Sequence, residues 1–383
     1  MEVIKTLPAI FEEFGEQRRN SFMTAYETKQ KNIPFVGTFC TYTPTEVIMA
    51  AGAIPVGLCS FSDETIADAE QDLPRNLCPL VKSSYGFAKT QKCPYFYFSD
   101  LIIGETTCDG KKKMYEMLGE IKDTHIMELP NRQSPMGRKL WKEEVIALKE
   151  KLEEKFGVTI TEEKLREQVK LSNENRLALR HFYELMKLDP PPMAGLNLYS
   201  VLYGSSFKFN RRQAIDEVKA LTERIQKEYD EGSRPIAKRP RILVTGCPIG
   251  GNAMKVVKSI EENGGNVVCF ENCSGAKSVD ELIDESNPDI YQAIADRYLN
   301  IGCSCMTPDD NRFKLMERLL DEYKIDAVVE VILQACHTYN VESYYIKRFV
   351  TSKGLPYMCV ETDYSAGDIG QLNTRCAAFI EML

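Results

Sequence analysis

The sequence predicts an α/β protein of two lobes, each built on a mostly parallel Rossmann-like sheet, with an all-helical connecting block between them in the chain. Three observations predict it. Short apolar runs alternate with helix-period patterns at both ends; a long charged stretch in the middle repeats its apolar residues only at helical spacing; and the two ends share one local grammar. The regions are 1–138, 139–232 and 233–383, with the binding cleft expected between the lobes, outside the carboxyl ends of the strands.

The elements follow in order. Ile10, Phe11, Phe14, Phe22 and Met23 stand at helix-compatible spacings and predict an amphipathic surface helix over 7–27. IPFVGTF (33–39) reads as a strand, and TPTEVIMAAGA (43–53) as a helix capped by Thr43 with Pro44 in its first position. IPVGLC (54–59) and DLIIGET (100–106) are strands, KKKMYEMLGEI (111–121) a helix, and HIMELP (125–130) a further strand. From about 139 the long charged helices run until the prolines at 190–192 stop them, another helix spans about 210–231, and RPIAKRP (234–240) is a linker. RILVTG (241–246) restarts the α/β pattern; a glycine-rich turn, the helix AMKVVKSIEENGG, the strand NVVCFEN (266–272) and helices to about 322 follow. DAVVEVI (326–332), the helix VESYYIKRFVTSKG, PYMCVET (356–362) and a helix over 369–382 complete the chain.

The echo between the ends is specific. DLIIGETTCDGKKKMYEM (100–117) and DAVVEVILQACHTYNVESYYIK (326–347) both run from Asp through an apolar strand to a Cys and then a helix, and the next strand closes on an acid, Glu128 or Glu361. This is the mark of an internal duplication, which by itself says nothing about chemistry.

Composition excludes several classes. The 383 residues carry 48 basic and 56 acidic side chains, a net charge of −8, which is the wrong sign for a protein that coats nucleic acid. No run approaches the ~18 apolar residues of a spanning helix, so no membrane role is expected. MEVIKTLPAIFEEFGEQRRN lacks the uninterrupted apolar core of a signal peptide, and the expected location is the cytoplasm.

The anomaly is 13 cysteines, an odd number, where a reducing compartment disfavours disulfides. Cys108, Cys247, Cys273 and Cys336 each follow a predicted strand, where open parallel sheets bind their ligands. Cys78 sits in an irregular stretch between Pro74 and Pro79, and Cys303 and Cys305 form a C-x-C in a loop. Cys269, Cys359 and Cys376 lie inside apolar runs and read as core. A cysteine ahead of a helix N-terminus meets oriented N–H groups that favour thiolate, the metal-binding form. With no C-x-x-C and only three histidines, His125, His181 and His337, scattered thiolates suit an iron–sulfur cluster better than zinc; buried or reactive thiols are the alternative.

Other signals are fewer. TGCPIGGN (245–252) has neither G-x-G-x-x-G nor a Walker lysine, so no nucleotide is expected; Gly246, Gly250 and Gly251 would let backbone pass close to a cluster. His337, beside Cys336, is a candidate proton donor, against a locally satisfied loop histidine. Lys111–Lys113 read as a solvated face or a receptor for an acidic partner.

TYTPTEVIMAAGAIPVGL (41–58), Cys78, TTCDGKKK (106–113) and LQACHTY (333–339) resemble, in order, the landmarks of the 2-hydroxyacyl-CoA dehydratase and benzoyl-CoA reductase family. The strings LPRNLCPLVKSSYGFAKT, TGCPIGG, ENCSGAK, IGCSC and ETDYS look closest to its double-cubane cluster proteins. That resemblance implies two α/β lobes and a [4Fe–4S] cluster held by Cys78, Cys108 and Cys336. It also implies that Cys247, Cys273 and Cys305, where dehydratase subunits lack cysteine, hold a second cubane, giving a double-cubane [8Fe–9S] cluster with a bridging sulfide. Cys303 competes with Cys305, and Cys40, Cys59 and Cys93 are reserves. The implied partner is a homodimeric [4Fe–4S] ATPase activator that supplies low-potential electrons. The implied activity is reduction of a small molecule by a homodimer. The alternatives are a subunit of a 2-hydroxyacyl-CoA dehydratase or acyl-CoA reductase with a single [4Fe–4S] cluster, and a non-catalytic electron-transfer or cluster-carrier protein.

Overall fold

Eight short strands form two four-stranded parallel sheets of the same topology in the computed structural model, which describes residues 6–383. The first contains β1 (Phe35–Thr38), β2 (Ile54–Gly57), β3 (Leu101–Glu105) and β4 (Thr124–Met127) in the order β2-β1-β3-β4. The second contains β5 (Arg241–Gly246), β6 (Asn266–Phe270), β7 (Ala327–Leu333) and β8 (Tyr357–Thr362) in the order β6-β5-β7-β8. The shared order supports the duplication read from 100–117 and 326–347. Inner strands β3, β5 and β7 are buried along their whole length, as parallel strands covered by helices on both faces must be, whereas the edges β4 and β8 expose residues.

The chain divides into two compact units. One comprises the chain up to Ser60, Glu64–Lys170 and Ile283–Leu299, and holds the first sheet. The other comprises Phe61–Asp63, Leu171–Leu282 and Asn300–Leu383, and holds the second. Thus the helical stretch over 139–232 is shared out between the units, and the helix Ile290–Leu299 serves the first unit despite its late position in sequence. Polar contacts tie it there: Arg138 reaches Asp296 at 2.8 Å, Lys142 reaches Asp289 at 2.5 Å, and Tyr298 donates to Glu46 at 2.7 Å.

Local signals explain the helix ends. Pro135–Phe156 starts behind Ser134, whose hydroxyl accepts the Gly137 N–H, and stops at Gly157 in the left-handed conformation with φ 65°. Arg211–Asp230 is capped by the Asn210 side chain. Two expectations need correction. The helix expected behind a Thr43 cap runs Thr45–Ala50 without a side-chain cap, because the Thr43 hydroxyl is spent on the Cys40 carbonyl at 3.0 Å and on the Glu105 carboxylate. The N-terminal helix begins at Glu16 and runs to Gln30, after a single 3-10 turn at Phe11–Glu13.

Candidate functional site

The strand ends of the first unit gather sulfur around a lysine. Cys108 is the N-cap of the helix Asp109–Ile121, and Cys78 is the N-cap of Pro79–Lys89; neither side chain makes a cap hydrogen bond. The two helix starts are neighbours, since a Cβ on Gly110 would lie 3.1 Å from Leu77 and 3.7 Å from Val81, residues that flank Cys78. Cys40 and Cys59 follow β1 and β2. Lys111 Nζ donates to the Phe39 carbonyl at 2.9 Å, and the Cys59 thiol donates to the same oxygen at 3.1 Å. Burial works against the Lys111 charge, but Tyr115 and the sulfurs of Cys59, Cys40 and Cys108 hold its pKa well above the ordinary lysine value. The solvated-face reading therefore fits Lys112 and Lys113, which pair with Asp109 and Glu116, and is wrong for Lys111. Glu105, at the end of β3, is fully buried, and burial pushes its carboxyl up to about 7 against the Thr43 hydroxyl that favours its charge.

The second unit repeats the placement. Gly246, at φ 103°, lets the chain leave β5 against the backbone of β7, where any Cβ would meet the Val331 carbonyl at 2.2 Å. The next residue, Cys247, is completely buried, and its sulfur accepts the Leu333 N–H at 3.3 Å. Cys336, the N-cap of the helix His337–Ser352, donates its own N–H to the Leu333 carbonyl at 2.9 Å. Cys247 and Cys336 thus share one residue at the end of β7. Gly250 and Gly251 back onto Phe61, whose ring and carbonyl occupy the space a Cβ would need. The helix expected from Ala253 begins at Lys255, behind a 3-10 turn over Gly251–Met254.

Cys273 follows β6, and Cys303 and Cys305 share a loop that Gly302 allows to pass against the Arg312 backbone, 2.3 Å from where a Cβ would sit. The loop is pinned: Cys303 N–H donates to Asp309 Oδ1 at 3.0 Å, and its carbonyl accepts from Met306 at 2.8 Å. A hydrogen bond from the Cys305 side chain, with Lys277 nearby, pulls the Cys303 thiol down to about 5. Burial, reinforced by Glu342, pushes the Asp309 carboxyl well above the ordinary carboxylate value.

Behind these cysteines lies a buried ionic network. Lys277 sits 3.0 Å from Glu271, and Arg312 Nε lies 3.4 Å from the other Glu271 oxygen; none of the three side chains is exposed. Thr245 donates to Glu271 at 2.6 Å, and Arg312 also engages Glu330 and Glu342. Burial would raise the Glu271 pKa, but Lys277 and then Arg312 hold it below the carboxylate range. Lys277 also lines a cavity of about 170 Å³ together with Asn300, Ile301 and Gly302.

Residues 40–383 match the family described as 2-hydroxyglutaryl-CoA dehydratase, D-component. The chain belongs to that family. Among its members it is 55% identical, over the whole of both chains, to the putative dehydratase subunit YjiM of Escherichia coli K12. It is 25% identical over 97% of each chain to the (R)-phenyllactyl-CoA dehydratase beta subunit of Clostridium sporogenes, and 19% identical over 89% of each to one of the benzoyl-CoA reductase subunits of Thauera aromatica. The resemblance read from TYTPTEVIMAAGAIPVGL and LQACHTY is thus to the right family of dehydratase and reductase subunits.

In this member of the D-component family, no three Cys, His, Asp or Glu side chains among the described residues lie together as ligands of one metal ion. A cubane asks for something else, because each thiolate binds a different iron. The residues present fit such a group on another observation. Buried polar atoms without a hydrogen-bond partner collect beside the cysteines: Thr107 Oγ1 and Tyr115 Oη in one unit, Asn272 Nδ2, Ser304 Oγ and Asp309 Oδ2 in the other. Buried polar groups are normally satisfied, so the hydroxyl and amide donors left over beside thiols suit a sulfur-rich anion.

His337 is exposed on the first turn of its helix, next in sequence to Cys336, and His181 borders a surface groove between helices. Residues the sequence patterns did not single out are Lys277, Arg312 and Tyr339, and Lys111 as a half-buried group. A signal for the lysines existed: each stands within a helical turn of a strand-end cysteine, Lys111 after Cys108 and Lys277 after Cys273. No helix among the described residues is long and apolar enough to cross a membrane.

Proposed function

We propose that the chain is an iron–sulfur reductase with a double-cubane [8Fe–9S] cluster, reducing small molecules with electrons from a separate ATP-hydrolysing activator, and that it works as a cytoplasmic homodimer. The observation that carries this reading is the repeated placement of cysteines at the strand ends of both sheets, with unsatisfied polar atoms beside them. Cys78, Cys108 and Cys336 would hold one cubane; Cys247, Cys273 and Cys305, or its neighbour Cys303, the second.

When bound, the cluster would supply low-potential electrons. The protein's own part is electrostatic. Cys78, Cys108 and Cys336 stand at helix N-termini, whose backbone N–H groups would offset negative charge on a bound cluster, and the Leu333 N–H already donates to the Cys247 sulfur. Lys111 and Lys277 offset the charge of several thiolates, which would otherwise repel one another in a poorly solvated site. His337, solvent-facing at the helix start, is the proposed proton donor.

A second reading, membership of a 2-hydroxyacyl-CoA dehydratase or acyl-CoA reductase assembly with one [4Fe–4S] cluster in this chain, is favoured by relatives that are named as dehydratase or reductase subunits and match over nearly the full chain. Iron counted per chain after anaerobic reconstitution separates the two: about eight supports the first, about four the second. Cys247→Ser or Cys273→Ser removes roughly half of the iron under the first reading and none under the second.

A further inference from the structure

Beneath the Cys303 sulfur, the buried Glu271 carboxylate holds Lys277, and Lys277 and Tyr339 line up as hydrogen-bond donors toward the sulfur. Lys277 Nζ stands 3.0 Å from Glu271 and donates to Tyr339 Oη at 3.3 Å. An ammonium has protons to give and no lone pair to offer, so the tyrosine oxygen is the acceptor in that contact. Its own proton stays available to donate, and a Cys303 thiolate, the metal-binding form, can only accept. The acceptor within reach is Cys303 Sγ, 3.7 Å away. The ring cannot turn freely: Tyr339 is 5% exposed, with the Arg312 guanidinium 4.9 Å and Lys277 Nζ 5.6 Å from its centroid.

We infer that Tyr339 is a positioning residue of the cysteine centre: oriented by Lys277, it donates a hydrogen bond to the Cys303 sulfur and so tunes the reduction potential of the group that this loop binds. The tuning rests on the iron–sulfur reading above; the hydrogen bond does not. A donor aimed at a thiolate sulfur stabilises the more negative state of what it ligates, which raises the potential. No bond is made or broken and no proton is transferred.

Tyr339→Phe keeps the ring and deletes the donor. In anaerobically reconstituted protein the variant should retain wild-type iron, show a more negative reduction potential and change the electron paramagnetic resonance signal of the reduced form. In metal-free protein, the pH midpoint for iodoacetamide labelling of Cys303, followed by mass spectrometry, should move upward, because the thiolate has lost a donor. Lys277→Met should move both readings in the same direction. Wild-type protein that takes up no iron would sink the cluster reading and leave labelling to decide this one. An unmoved labelling midpoint in Tyr339→Phe overturns the inference whatever the iron content, as does an unmoved potential in the iron-loaded variant.

Discussion

Lys277 and Glu271 form an ion pair at 3.0 Å in which neither side chain is exposed to solvent. Six residues apart in sequence, they hold opposite charges directly behind the loops that carry Cys273 and Cys303. A buried pair of this kind tolerates replacement of both partners better than loss of one. Lys277→Met leaves Glu271 with Arg312 as its only cation, beside the Thr245 hydroxyl, and should cost about 3 kcal/mol, read by urea denaturation of the metal-free protein. Glu271→Gln with Lys277→Met together should cost less than Lys277→Met by itself. A double variant that adds the two losses in full would contradict the pairing.

The same glutamate has a pH signature. Its folded pKa lies below the ordinary value, so its contribution to stability is present above the unfolded pKa and is lost as pH falls through the folded one. Wild-type stability should therefore drop in acid more steeply than that of Glu271→Gln.

Glu105 predicts the opposite sign. Its carboxyl rises from an ordinary 4.5 to about 7, so the folded chain binds the proton more tightly than the unfolded one. Stability should fall as pH rises from about 4.5 and level off above about 7, a loss on the order of 3 kcal/mol at most. Glu105→Gln should flatten that slope between pH 5 and pH 8. An unchanged slope in the variant would remove Glu105 as its cause.

Gly246→Ala should destabilise by roughly 2 kcal/mol or more, since φ is 103° and the Val331 carbonyl occupies the Cβ position. Gly232→Ala, also at positive φ but with nothing within 4 Å, carries only the conformational penalty and is the control. Thermal melts of the two variants would rank them. Equal shifts would mean that crowding at β7 is not what demands glycine.

Cysteine replacements should sort by position. Cys359→Ser, on the edge strand β8, should leave reconstituted iron unchanged and cost about 1 kcal/mol, whereas Cys273→Ser should lose iron. Cys269 is a packing cysteine: it is fully buried in β6, the Tyr183 hydroxyl sits 3.1 Å from its sulfur, and burial pushes its thiol up to about 12. It should resist alkylation until the chain unfolds.

Much of this architecture is legible in the residues alone. The strand read at 241–246 coincides with the observed β5, because a parallel strand covered on both faces must be a nearly continuous apolar run; the strand read at 356–362 differs from the edge strand β8 by one residue. Helix starts are less legible. Thr43 looks like a cap and instead serves Glu105, a partner 62 residues away that no local pattern announces. The helix Ile290–Leu299 reads as part of the last region and belongs to the first unit, because its buried apolar residues pack against the helix Pro135–Phe156, with ion pairs to Arg138 and Lys142 at the rim.

By itself the sequence determined which chemistry is present and roughly where along the strands it sits: thiols at strand ends, a duplicated grammar, no nucleotide loop. Periodicity and short-range steric rules are enough for that. Only the tertiary structure decided that Glu271, Lys277, Arg312 and Tyr339 converge behind Cys303, and that Lys111 turns away from solvent toward three sulfurs. Charge becomes consequential when burial strips its water, and burial is a property of how distant segments pack.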